Sequence, residues 1–133
     1  MLLSFVRKLS GAVRLVVLVM GLAVPGACTV QSTLPDPLGA GWNGAPVCEK
    51  LHEDADQRIL RCTFPPGVGH ERHFHDQHFG YTIAGGRMKI TDSSGTREVD
   101  LATGISFVSD GVVWHEVLNI GDSTTVFLIV EPK

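Results

Sequence analysis

Residues 70–78 read His-Glu-Arg-His-Phe-His-Asp-Gln-His and hold four of the chain's six histidines. In a strand, side chains alternate between faces, so His73 and His75 project together, with Glu71 on the same side. Two imidazoles at that spacing can share one metal ion at about 2.0–2.1 Å each. His78 follows the corner Asp76-Gln77 and can fold back onto the same ion; if it does not reach, Glu71 is the carboxylate substitute. His70 faces away from the pair, as a supporting or exposed residue, and His52 reads as surface. A solvated histidine-rich turn is the other reading of this tract. Metal binding answers the crowding better, because clustered imidazoles repel one another once protonated.

These residues need a scaffold of short strands. Phe79 to Ala84 and Arg87 to Thr91 flank Gly85-Gly86, a tight-turn signal. Asp92-Ser93-Ser94-Gly95 is a second turn, followed by Thr96 to Leu101, Gly104 to Ser109, Trp114 to Leu118 and Thr124 to Val130. No helical period is sustained after residue 28. The pattern is all-β, a sandwich or barrel. Alternation from His78 sends Gly80, Thr82 and Ala84 inward, which either leaves room for a small-molecule ligand beside the metal or reflects tight packing. Phe79, Tyr81 and Ile83 then face outward. Glu71 and Tyr81 are the candidate acid–base groups.

Val47 to Glu53 and Gln57 to Phe64 are strand-like runs around Asp54-Ala55-Asp56. Folding the chain at Ala55 sets Cys48 opposite Cys62 and Leu51 opposite Ile59. Opposed residues bring Cβ atoms to about 4.5–5.5 Å, near the reach of a disulfide. A bridged pair and two reduced, buried thiols are both open on this evidence.

The chain has 133 residues, 44% of them hydrophobic, enough for one domain and too apolar for disorder. Residues 1–27 carry Arg7, Lys8 and Arg14 and no acid, leaving 8 basic against 14 acidic side chains, or −6, for residues 28–133. That balance excludes a general nucleic-acid surface. The basic start and the apolar run Leu15 to Val24 read as a secretory signal over residues 1–27, too short to span a bilayer as about 20 residues would. Val24-Pro25-Gly26-Ala27-Cys28 resembles the lipobox of bacterial lipoproteins, which implies lipidation of Cys28 and a membrane anchor. Ordinary cleavage nearby is the alternative. Residues 28–46, rich in Pro and Gly, read as a flexible tether, and residues 47–133 as the folded domain. The expected location is outside the cytoplasm, periplasmic or lipid-anchored to the envelope, where disulfides persist.

Gly67, His73, His75 and Gly85 resemble the first motif of the cupin family, and Gly104, His115 and Asn119 resemble its second. The resemblance spans about residues 47–131 and implies a single-domain jelly-roll β-barrel, commonly a homodimer. It implies His73, His75, His78 and His115 as metal ligands, with His78 where the family has Glu. Four neutral imidazoles would leave a divalent ion its full +2 charge, favouring bound anions. Such ligation suits Fe, Zn, Ni or Cu and disfavours Mg and Ca. The family likeness implies a metal-dependent enzyme, oxygenase-like, acting on a small organic acid or thiol. A ligand-binding or sensing module and a structural metal site are the alternatives.

Overall fold

The computed structural model describes residues 33–133. The expected signal over residues 1–27, the lipidation site Cys28 and the start of the tether lie outside the described residues. Among the described residues there are eleven strands: β1 (Gly41–Trp42), β2 (Ala45–Pro46), β3 (Cys48–Glu53), β4 (Gln57–Phe64), β5 (Gly69–His75), β6 (His78–Ala84), β7 (Gly86–Asp92), β8 (Gly95–Leu101), β9 (Ser106–Ser109), β10 (Val112–Asn119) and β11 (Thr125–Pro132). No helix occurs among the described residues, so none there is long and apolar enough to cross a membrane.

Nine strands form two sheets, β3-β4-β11-β6-β9 and β5-β10-β7-β8. All pairings are antiparallel, and the sheets enclose a shared apolar core as a jelly roll. Leu60 and Ile129 come from the first sheet and Met88 from the second, and all three are buried. Burying a side chain such as Leu60 stabilises the fold by about 2 kcal/mol. β10 lies between β5 and β7, and this long-range pairing sets His115 opposite His73.

The β3–β4 hairpin turns at Asp54, whose Oδ1 accepts the backbone N–H groups of Asp56 and Gln57, both at 2.9 Å. Cys48 lies opposite Cys62, and the two form a disulfide. Leu51 does not face Ile59, as strict pairing requires. A register shift makes His52 the partner of Ile59 and leaves Leu51 exposed as the surplus residue of a bulge.

Two further sequence expectations need correction. Gly85-Gly86 is not a hairpin turn: β6 and β7 belong to different sheets, and the chain crosses between them there. A Cβ on Gly85 would lie 2.1 Å from the Leu101 carbonyl oxygen, and one on Gly86 would lie 2.1 Å from Thr125 Oγ1. The glycines serve close approach, not a tight turn. The tether reading also fails over residues 33–46, which pack as a strap along the barrel. Pro37 and Ala40 are buried, Leu38 and Trp42 lie against the core, and the Pro35 carbonyl accepts the Phe74 N–H at 3.1 Å. Proline and glycine there shape a fixed path, because the carbonyls and rings find partners on β5 and the core.

Candidate metal centre

β5 and β10 each carry one surplus residue, and the two irregularities build the site. Between His75↔Val112 and His73↔His115, β10 has the extra residue; between His73↔His115 and His70↔Val117, β5 has it. A bulge resets the alternation of side chains. His73 and His75 therefore both point inward, as their spacing predicts, but His70 does too. His70 is 2% exposed, its ring centroid is 3.8 Å from that of His73, and its Nδ1 is 3.9 Å from Cys48 Sγ. Glu71 is displaced in the opposite sense. It is exposed and accepts the Asn43 N–H at 3.1 Å, so it is not a same-face substitute ligand. The expectation that His70 faces away is corrected by the same bulge.

Three of the four expected ligands converge. One ligand atom from each of His73, His75 and His115 lies within 4.8 Å of the others. His73 Nε2 is 3.0 Å from His75 Nε2 and 3.0 Å from His115 Nε2. His73 Nδ1–H donates to the Glu71 carbonyl at 2.6 Å, and His75 Nδ1–H donates to the Glu131 carboxylate at 3.3 Å. A neutral ring that spends its proton on Nδ1 keeps a lone pair on Nε2. Two such lone pairs facing each other at 3.0 Å have no proton to share, and a cation between them removes the repulsion. The donor set fits a transition ion. Bonds of about 2.1 Å at right angles separate two nitrogens by about 3.0 Å, whereas tetrahedral angles separate them by about 3.4 Å. The spacing suits three imidazoles on one side of an ion with its other positions open.

The fourth expected ligand, His78, stands apart from this triad. Its ring centroid is 4.7 Å from that of His75, it is buried, and its Nδ1–H donates to the Asp76 carbonyl at 2.8 Å. It lines the same cavity. Tyr81, the other acid–base candidate, lies outward on β6 and is 38% exposed, away from the triad. His52 is at the surface, 2.9 Å from Asp54.

Burial disfavours protonation of His70, His73, His78 and His115. It pushes His73 down to about 2, with the neighbouring His70 and His115 adding to the effect. His115 is pushed down to about 3 by burial and then by His75, and His70 to about 4 mainly by burial. His78 is also lowered by burial. At neutral pH these rings offer lone pairs.

The triad forms one wall of a cavity of about 400 Å³ between the sheets. Phe64, Ile90, Val99, Leu101, Phe107 and Phe127 make its apolar sides. Arg97 also lines it, with its guanidinium 2.6 Å from Asp92. The inward small residues do not all leave space: Phe107 fills the place beside Gly80, where a Cβ would meet its ring at 2.1 Å.

Glu131 escaped the sequence reading. Period-two alternation from the buried Thr125 through Ile129 puts Glu131 inward on β11, an acid in an apolar series, and that was a legible signal. Burial pushes its carboxyl up, but the bonds from His75 and Arg58 outweigh this and hold it below the usual range.

Residues 60–131 match the family described as Cupin domain. Among solved structures, a cupin domain from Bordetella pertussis Tohama I is similar, with TM-score 0.62 and 23% identity, over 65% of this chain and 92% of that one. An RmlC-like cupin family protein from Methanocaldococcus jannaschii is similar at TM-score 0.54 and 20% identity, over 65% and 78%. The polyketide cyclase RemF from Streptomyces resistomycificus is similar at TM-score 0.53 and 20% identity, over 64% and 63%. At these identities the likeness is one of fold. Among curated proteins, none matches. The jelly roll, the paired histidine strands and the family match over more than half of the chain agree: this chain belongs to the cupin family.

Proposed function

We propose that this cupin is a metal-dependent enzyme, oxygenase-like, acting on a small molecule with an anionic head and a largely apolar body. The observation that carries it is the convergence of three Nε2 atoms on the wall of an apolar cavity of about 400 Å³. His73, His75 and His115 would hold Fe, Zn, Ni or Cu. The bound ion would supply Lewis-acid or redox chemistry. Three neutral ligands leave its positive charge unreduced, which attracts a carboxylate or thiolate head. The apolar walls take the body. His78, with Nδ1 committed to Asp76, keeps Nε2 as an acceptor able to take a proton from a group bound beside the triad.

Metal analysis of protein purified from its native compartment, with His73→Ala, His75→Ala and His115→Ala as controls, tests the centre. One ion per chain, lost in each variant, is expected; an occupancy unaffected by all three overturns it. Oxygen uptake with a panel of aromatic and aliphatic carboxylates and thiols tests the chemistry. A metal-loaded protein that binds members of the panel and turns none over is a sensing module. One that binds none holds a structural ion.

We further propose export with Cys28 as a lipid-bearing N-terminus. The support is the basic-then-apolar start and the Cys48–Cys62 bridge, which suits an oxidising compartment. Mass spectrometry of the mature protein decides it: an unmodified N-terminus refutes the anchor. A homodimer is the proposed assembly. Phe79, Tyr81, Ile83 and Val108 form an exposed apolar group on the outer face of β6 and β9. Light scattering after Phe79→Glu should show monomer; an unchanged mass excludes this face.

A further inference from the structure

Outside the triad, the most heavily connected polar group near the site is Glu131. Its carboxylate lies in a chain of charged and polar groups. Oε1 accepts His75 Nδ1–H at 3.3 Å, Oε2 accepts Arg58 Nε–H at 2.7 Å, and Arg58 Nη1 reaches Asp36 Oδ2 at 2.6 Å. Glu131 is 4% exposed. Asp36 sits on the strap, so the chain runs from the strap through β4 and β11 to a triad ring on β5.

We propose that Glu131 is the positioning residue of the metal centre, fixing the His75 tautomer that presents Nε2 to the ion, with Arg58 and Asp36 holding the carboxylate in place. The proposal rests on the metal reading above. Its logic is one of proton placement. An imidazole keeps one N–H when neutral, and an acidic partner on Nδ1 decides that Nδ1 carries it. Arg58 can only donate, so it demands an oxygen on its side of residue 131. In Glu131→Gln the amide oxygen goes to Arg58 and the NH₂ group turns to His75. His75 Nδ1 must then accept, its proton moves to Nε2, and the ligand atom is blocked. Size and hydrogen-bond count are nearly unchanged by this substitution. A structural role alone would show in stability and would not move the proton between the two nitrogens of His75.

The test combines metal titration with nitrogen NMR of the histidine rings. Zinc affinity is measured by chelator competition on the full folded domain with its disulfide intact. Glu131→Gln should bind zinc at least 10–100-fold more weakly, the range for loss of a group that orients a ligand. Adding Arg58→Met to it frees the amide to turn over and should recover much of that loss. In the metal-free wild type, His75 should carry its proton on Nδ1, and in Glu131→Gln on Nε2. Wild type with the proton on His75 Nε2, or a Glu131→Gln affinity within threefold of wild type, overturns the proposal. If wild type takes up none of zinc, iron, nickel or copper, the metal reading falls by itself, and the nitrogen spectra alone decide the role of Glu131.

Discussion

Acidifying the metal-free protein should destabilise it well above the usual range of carboxylate titration. Three imidazoles are held down by burial: His70 to about 4, His115 to about 3 and His73 to about 2, against 6.5 for an ordinary histidine. The unfolded chain takes up protons below 6.5 while the folded chain does not. Stability is therefore full above 6.5 and lost as pH falls from 6.5 toward the folded values. At about pH 5.5 each ring costs about 1.4 kcal/mol, giving a ceiling near 4 kcal/mol for three. A domain of this size commonly has about 5–15 kcal/mol in total. Urea denaturation with a chelator present, at fixed ionic strength and with the disulfide intact, should show the midpoint falling by about 2 M between pH 7 and 5.5 at a constant slope. Saturating zinc should delay the fall, since protons must displace the ion. A chelated midpoint that stays flat across this interval would refute the neutral, buried cluster.

Gly80→Ala should lower stability by about 1–3 kcal/mol by driving the Phe107 ring from its place, and Phe107→Ala should relieve most of that cost in a double-mutant cycle. Replacing Cys48 and Cys62 together by alanine should cost about 3 kcal/mol, read by denaturation, because the bridge closes a short loop in the unfolded chain. Leu60→Ala, at a fully buried position, should cost about 3–5 kcal/mol with no change in zinc affinity.

Much of the site was legible because it follows from period two. His73 and His75 share a face, Gly80 and Thr82 turn inward from His78, and Cys48 meets Cys62 across a hairpin. The misreadings have a common origin in partners remote in sequence. His70 and Glu71 exchange faces because of pairing with β10, more than 40 residues away, which nothing within β5 announces. Gly85-Gly86 has turn chemistry, but its neighbours are Leu101 and Thr125, so its glycines answer to crowding from distant strands. The strap looks unstructured by composition and becomes ordered through Asp36, Pro35 and Trp42, each bound to a residue far along the chain.

The surplus residue in β5 also bears on which heritable length changes this strand can absorb. Deleting Arg72 would make the strand regular while leaving His70, His73 and His75 on their present face, because a bulge counts two residues as one. Arg72 faces solvent, stacked at 3.9 Å over Trp114, and little else depends on it. Deleting Phe74 has no such refuge: it would bring His73 beside His75 and turn one of them out of the cavity. One codon can be lost from this strand without disturbing the imidazoles, and two residues along the same loss dismantles them.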